Sequence, residues 1–116
     1  AMRDVLAHTL PLVEIERVLV ARKIITTKDG SLEGLTAWVG KGCNLCGQAG
    51  FRGRTGIYEI LEVTPPLREA IMRGANDEQL RTLARRDGML TILEDGFRKA
   101  FEGITTIEEV LRVATE

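Results

Sequence analysis

The sequence predicts an α+β fold that is mainly α: a small β-hairpin with a Cys-x-x-Cys knuckle, followed by a compact bundle of short C-terminal helices. Three observations carry the prediction. Gly42 to Leu61 holds Cys43 and Cys46, then Gly47, Gly50, Gly53 and Gly56, then the partly alternating Ile57-Tyr58-Glu59-Ile60-Leu61. Glycines this dense admit backbone conformations that other residues resist, so the stretch reads as a tight bend delivering a strand. Past Val63, apolar residues recur at three- and four-residue spacing behind residues that cap helices.

Taken in order, Arg3 to about Lys23 is helical in pattern, with Ile15, Val18 and Leu19 on one face. Pro11 divides it, because proline cannot donate to a helix and disfavours a helical Leu10. A helix is therefore expected from about Leu12 to Ala21. His8, the single histidine, sits beside that break; it reads as a surface or satisfied side chain, because a ligand or base would need partners that the sequence does not show. Asp29-Gly30 and Ser31 to Gly34 are turn signals. Leu35 to Val39 is rich in β-forming residues and pairs, in this reading, with Gly56 to Leu61. Trp38 is expected to pack in the core or on a strand face.

The helical part is punctuated at every junction. Thr64 caps a helix whose first turn takes Pro65 and Pro66, with Leu67, Ala70 and Ile71 inward and Gly74 at its end. Asn76 caps the next, with Leu80, Leu83 and Ala84 inward, ending at Gly88. Thr91 and Glu94 have capping-box spacing ahead of Leu93, Phe97, Ala100 and Phe101, which run to Gly103. Thr105 and Glu108 repeat the device before Ile107, Val110, Leu111 and Ala114. Residues 1–63 are read as the knuckle-bearing subdomain and 64–116 as the helical one.

Composition narrows the function classes. The chain has 116 residues, 44% hydrophobic and 28% charged, ordinary values for one soluble domain or part of a larger one. A net charge of -1 offers no nucleic-acid footprint. No apolar run approaches a membrane span; Val18-Leu19-Val20 gives way at once to Arg22 and Lys23. Two cysteines three positions apart make no secreted disulfide framework, which points to a reducing cytosol. The leading Ala1-Met2 reads as a cloning remnant ahead of an excised fragment.

No Gly-x-x-x-x-Gly-Lys-Ser/Thr loop cradles a phosphate, and His8 has no serine or cysteine near it in sequence. Glu108 and Glu109 stand where a helix dipole explains them without catalysis. Cys43 and Cys46 have zinc-ligand spacing, but a structural zinc takes four donors. His8, Asp29 or another chain would have to complete the set. Two reduced thiols buried in the bend, or a redox-active dithiol, are the alternatives.

Gly42-Cys43-Asn44-Leu45-Cys46 followed by Gly50-Phe51-Arg52-Gly53-Arg54-Thr55-Gly56-Ile57-Tyr58-Glu59-Ile60-Leu61 is similar to the segment after the nucleotide-binding core of the type II secretion and type IV pilus assembly ATPases. Asp87 to Gly96 and Glu102 to Val113 resemble that family's C-terminal helices, so the likeness runs from about Leu32 to the end. It implies an accessory lobe of a cytoplasmic homohexameric motor. The lobe would contact the ATPase core, neighbouring subunits and an inner-membrane platform protein, peripheral to that membrane and without inserting in it. ATP and magnesium belong, in this reading, to the parent's upstream domain, and no residue here is catalytic. Zinc is implied at Cys43 and Cys46, yet the family's first pair, Cys-Pro-x-Cys, falls at Thr9-Leu10-Pro11-Leu12-Val13, which keeps the proline and has no cysteine. Arg52 and Arg54, on their glycine frame, are the expected interface residues; pairing with Glu59 or Glu62 is the local alternative. A second class of function is a free-standing metal-binding or protein-interaction module without a motor.

Overall fold

A computed structural model describes residues 37–114 together with Arg17, Val20 and Ala21. Those three isolated residues are helical, as expected between Leu12 and Ala21. The break at Leu10-Pro11, His8, the turns around Asp29-Gly30 and the start of the Leu35 strand lie outside the described residues.

From residue 65 onward four α-helices follow one another among the described residues: α1 (Pro65–Met72), α2 (Asp77–Arg86), α3 (Ile92–Phe101) and α4 (Ile107–Ala114). They pack as two neighbouring pairs, α1 on α2 and α3 on α4. Local chemistry sets their starts. At α2, the Gln79 N–H donates to Asn76 Oδ1 (2.9 Å) and the Asn76 N–H to Gln79 Oε1 (3.2 Å). At α3, Thr91 and Glu94 form the same reciprocal box. Their ends share one motif too. After α1, α2 and α3, the residue beyond Gly74, Gly88 or Gly103 donates back to Ala70, Ala84 or Lys99, at 3.0, 3.0 and 2.9 Å. Each glycine has positive φ, as this closure requires.

Two start sites differ from expectation. Thr64 precedes α1, but its hydroxyl donates to Asp87 Oδ2 (2.6 Å), joining the start of α1 to the end of α2. The two prolines leave fewer amide donors there for a cap to satisfy. At α4 the cap is Thr106, not Thr105: the Glu109 N–H donates to Thr106 Oγ1 (3.2 Å). Both threonines have a glutamate three residues on. Starting the helix at Ile107 lets Ile107 and Val110 enter the core, and that burial selects the later start.

Among the described residues the core consists of Leu67, Ala70, Ala84, Phe97, Ala100, Ile107 and Val110. Ile71, expected inward, is exposed, while Leu80, Leu83, Leu93 and Phe101 are half-buried. At Gly96 the helices α3 and α4 touch so closely that an added Cβ would overlap the Val110 side chain.

The β-hairpin is absent: no strand occurs among the described residues. Ile57 to Leu61 forms no strand and is held by hydrogen bonds with α3, not by a ladder. The Tyr58 N–H donates to Asp95 Oδ2 (2.9 Å), and the Ile92 N–H donates to Glu59 Oε2 (3.2 Å). Lys99 Nζ donates to the Gly56 carbonyl and lies 4.7 Å from the centre of the Tyr58 ring. Trp38, placed by the sequence in a core or strand face, is 60% exposed and rests against Gly103.

Candidate functional site: a cysteine knuckle and an arginine-rimmed cleft

Cys43 is extended, and Asn44–Cys46 form one tight 3-10 turn behind it. The chain then reverses through Gly47 and Gln48, both at positive φ. The Gln48 N–H donates to the Cys43 carbonyl (2.9 Å) and the Ala49 N–H to the Cys46 carbonyl (3.2 Å). Gly40 and Gly50 let two backbones meet, since a Cβ on Gly40 would stand 2.7 Å from the Gly50 carbonyl oxygen. This close approach is a different use of glycine from the torsional freedom inferred from the sequence.

The turn brings the two thiols together, with Sγ atoms 3.1 Å apart. Cys46 Sγ accepts from the Cys43 N–H (3.1 Å) and the Gly50 N–H (3.4 Å). The hydrogen bond to the Cys43 side chain, helped by the Gly50 and Cys43 amides, lowers the Cys46 pKa from 9.0 to about 7. Neither thiol is buried, which corrects the expectation of buried thiols: Cys43 is exposed and Cys46 half-exposed. Two sulfurs on one tetrahedral zinc, each at about 2.3 Å from it, lie about 3.8 Å apart, so the pair would have to open slightly. Among the described residues no group of three or more His, Cys, Asp or Glu side chains gathers around a point. A complete four-donor site therefore does not fit on the described residues, which offer two thiols of suitable chemistry. His8 and Asp29 lie outside the described residues.

Beyond the knuckle, Arg52 and Arg54 are both exposed. Among the described residues neither pairs with Glu59 or Glu62, nor has a hydrogen bond or ion pair with any other side chain. They stand beside a cleft of about 560 Å³ between the glycine segment and α4, lined also by Phe51, Ile104, Arg112 and Val113. Within it Glu109 grips Arg112 through two contacts, of 2.6 and 3.0 Å, and its carboxyl is held below the usual range by that guanidinium.

Sequence reasoning missed the anchor on α3. Asp95 is buried between Lys99 Nζ (2.8 Å), Arg98 Nη2 (2.6 Å) and the Tyr58 amide. Burial pushes its carboxyl up, but hydrogen bonds from Lys99, Arg98 and Tyr58 outweigh this and bring it down to about 2. Its i,i+4 spacing to Lys99 was the available signal, and that pattern usually marks a solvated helix face. Beside it Glu94, 2% exposed, joins Arg85 (2.7 Å) while also capping its own helix.

The chain belongs to the family of type II/IV secretion system proteins, whose family model matches residues 3–112. Among individual relatives, it is 43% identical over 83 residues to the type IV pilus assembly ATPase PilB of Thermus thermophilus, covering 72% of this chain and 9% of that protein. It is 45% identical over 76 residues to the type II secretion system protein E of Pseudomonas aeruginosa, covering 66% of this chain and 15% of that one. With the type IV pilus assembly ATPase TfpB of Acinetobacter baylyi it shares 42% identity over 72 residues, 62% of this chain and 12% of that relative. The chain thus spans a small part of the length of each. No helix among the described residues is long and apolar enough to cross a membrane.

Proposed function

We infer that this chain is a C-terminal accessory lobe of a hexameric cytoplasmic ATPase that powers type II secretion or type IV pilus assembly. The observation that carries the reading is the family match together with relatives named both as pilus assembly ATPases and as secretion system proteins. The missing phosphate-binding loop supports placing the nucleotide site, with its ATP and magnesium, in the parent's upstream domain. Residues 1–63 serve as the knuckle-bearing subdomain and 64–116 as the helical one.

The lobe transmits contact, not chemistry. Arg52 and Arg54 meet the ATPase core or a neighbouring subunit, and the motor reaches the inner membrane through its platform protein. Cys43 and Cys46 serve as half of a zinc site when two further donors are supplied. Arg54→Glu in the full-length motor tests the contact role: hexamer formation and ATPase rate both fall. Unchanged assembly and turnover remove the arginines from the mechanism. Nucleotide hydrolysis by the isolated 116-residue chain would overturn the division of labour.

A further inference from the structure

We propose that the cleft between the glycine segment and α4 is a docking groove for an acidic, amphipathic protein segment, one that sets carboxylates against Arg52 and Arg54 and apolar side chains against Phe51, Ile104 and Val113. The proposal rests on the reading of the chain as a contact lobe and names the chemistry of what it contacts. The cleft holds about 560 Å³, ample for several side chains. Its apolar part is open: Phe51, Ile104 and Val113 are 45%, 54% and 44% exposed, although they approach one another from two separate segments. Apolar side chains clustered at a concave surface gain most when a partner covers them.

Charge selects the partner. Glu109 is already committed to Arg112 on the cleft wall, whereas Arg52 and Arg54 have no carboxylate partner among the described residues. Both cations are carried on a glycine-framed segment, with Gly53 between them at φ 73°. Their guanidinium groups offer planar, paired donors that match carboxylates bidentately. A basic segment would be repelled, and a purely apolar one would leave both arginines unpaired and partly desolvated.

The test uses the isotope-labelled 116-residue chain and a capped peptide in which glutamates are interspersed with leucines, alongside its glutamine counterpart. Amide shifts should move at Phe51 to Thr55 and Ile104 to Val113, and binding should weaken as salt rises. Arg52→Glu and Arg54→Glu should each weaken binding about ten-fold, the change expected from turning an interfacial charge pair into a repulsion. Arg73→Glu, outside the cleft, should leave binding unchanged; circular dichroism of each variant confirms that it is folded. Equal binding of the glutamine peptide, shifts mapping elsewhere, or no binding at all overturns the proposal. So does competition by anionic vesicles without response to the glutamate peptide, or shifts that track self-association. Those failures leave the motor assignment standing, since it rests on the family match; a parent lacking a nucleotide-binding domain would remove that assignment without touching the titration.

Discussion

The knuckle and the helical part are built on opposite principles. From residue 37 to 63 no side chain is buried, and the path is set by positive-φ positions, close backbone approach and sulfur acceptors. From residue 64 onward, caps, glycine ends and a small core set the path, and the charged side chains of Glu94, Asp95 and Lys99 are buried with charged partners. Chain reversal through glycine defines a shape but removes little apolar surface from water. The difference teaches that the described part of the knuckle is held by backbone geometry and hydrogen bonds, whereas the helices are held by buried apolar side chains. The join between them is Asp95, which reaches from α3 to the Tyr58 amide while holding Lys99 over the Tyr58 ring.

The comparison can be broken most directly at Glu94. Glu94→Ala leaves Arg85 without this buried partner and removes a cap, and it should lower unfolding free energy by about 3 kcal/mol; urea titration followed by circular dichroism measures it. Gly96→Ala should cost about 2 kcal/mol by forcing α3 off Val110, read in the same assay. A loss below a few tenths would mean that the α3–α4 contact is looser than described.

Acid tests the join. Asp95 has a folded-state pKa of about 2 against an ordinary 3.8, so its contribution is fully present above pH 4 and lost as pH falls toward 2. Linkage puts that contribution at about 2 kcal/mol. Asp95→Asn should flatten the acid limb of stability, which urea midpoints across pH 2 to 6 would show. An unchanged acid limb removes Asp95 from the join. Next in size, Thr106→Ala should cost about 1 kcal/mol and Thr105→Ala less than about 0.5 kcal/mol; the reverse order would move the start of α4 back by one residue.

At the knuckle the expected stability effect is smallest. Cys43→Ala should leave the helical unfolding midpoint unchanged while altering the chemistry of Cys46. In the native chain Cys46 alkylation should reach half its plateau rate near pH 7; the midpoint should rise in that variant, which loses the side-chain donor but keeps the Gly50 and Cys43 amides, and climb toward 9.0 in denaturant, where all these donors are lost. A native midpoint already near 9.0 would mean that the thiols do not meet.

How far these features could be read in advance depended on the range of the interactions behind them. Asn76 with Gln79 and Thr91 with Glu94 were legible because a cap is decided within four residues. Thr105 and Thr106 were not separable that way, since each has a glutamate at the right spacing and the choice rested on which start buries Ile107 and Val110. Ile57 to Leu61 alternates as a strand does, but alternation reports an extended backbone and says nothing about whether its amides meet another strand or the carboxylate of Asp95. Cys43 and Cys46 were visible as a pair through spacing alone, whereas the cleft beside Arg52 and Arg54 joins segments some fifty residues apart and has no local signature.

The sequence by itself determined the positions of the four helices, the caps of α2 and α3, the bend at the cysteines and the kinship with secretion and pilus ATPases, because each is written in contiguous residues. Only the tertiary structure decided that Ile57 to Leu61 is tied to a helix, that Asp95 and Lys99 face inward, and that two arginines border a cleft with an apolar side. Those outcomes turn on which distant surfaces exclude water together, a competition that no short window of residues contains.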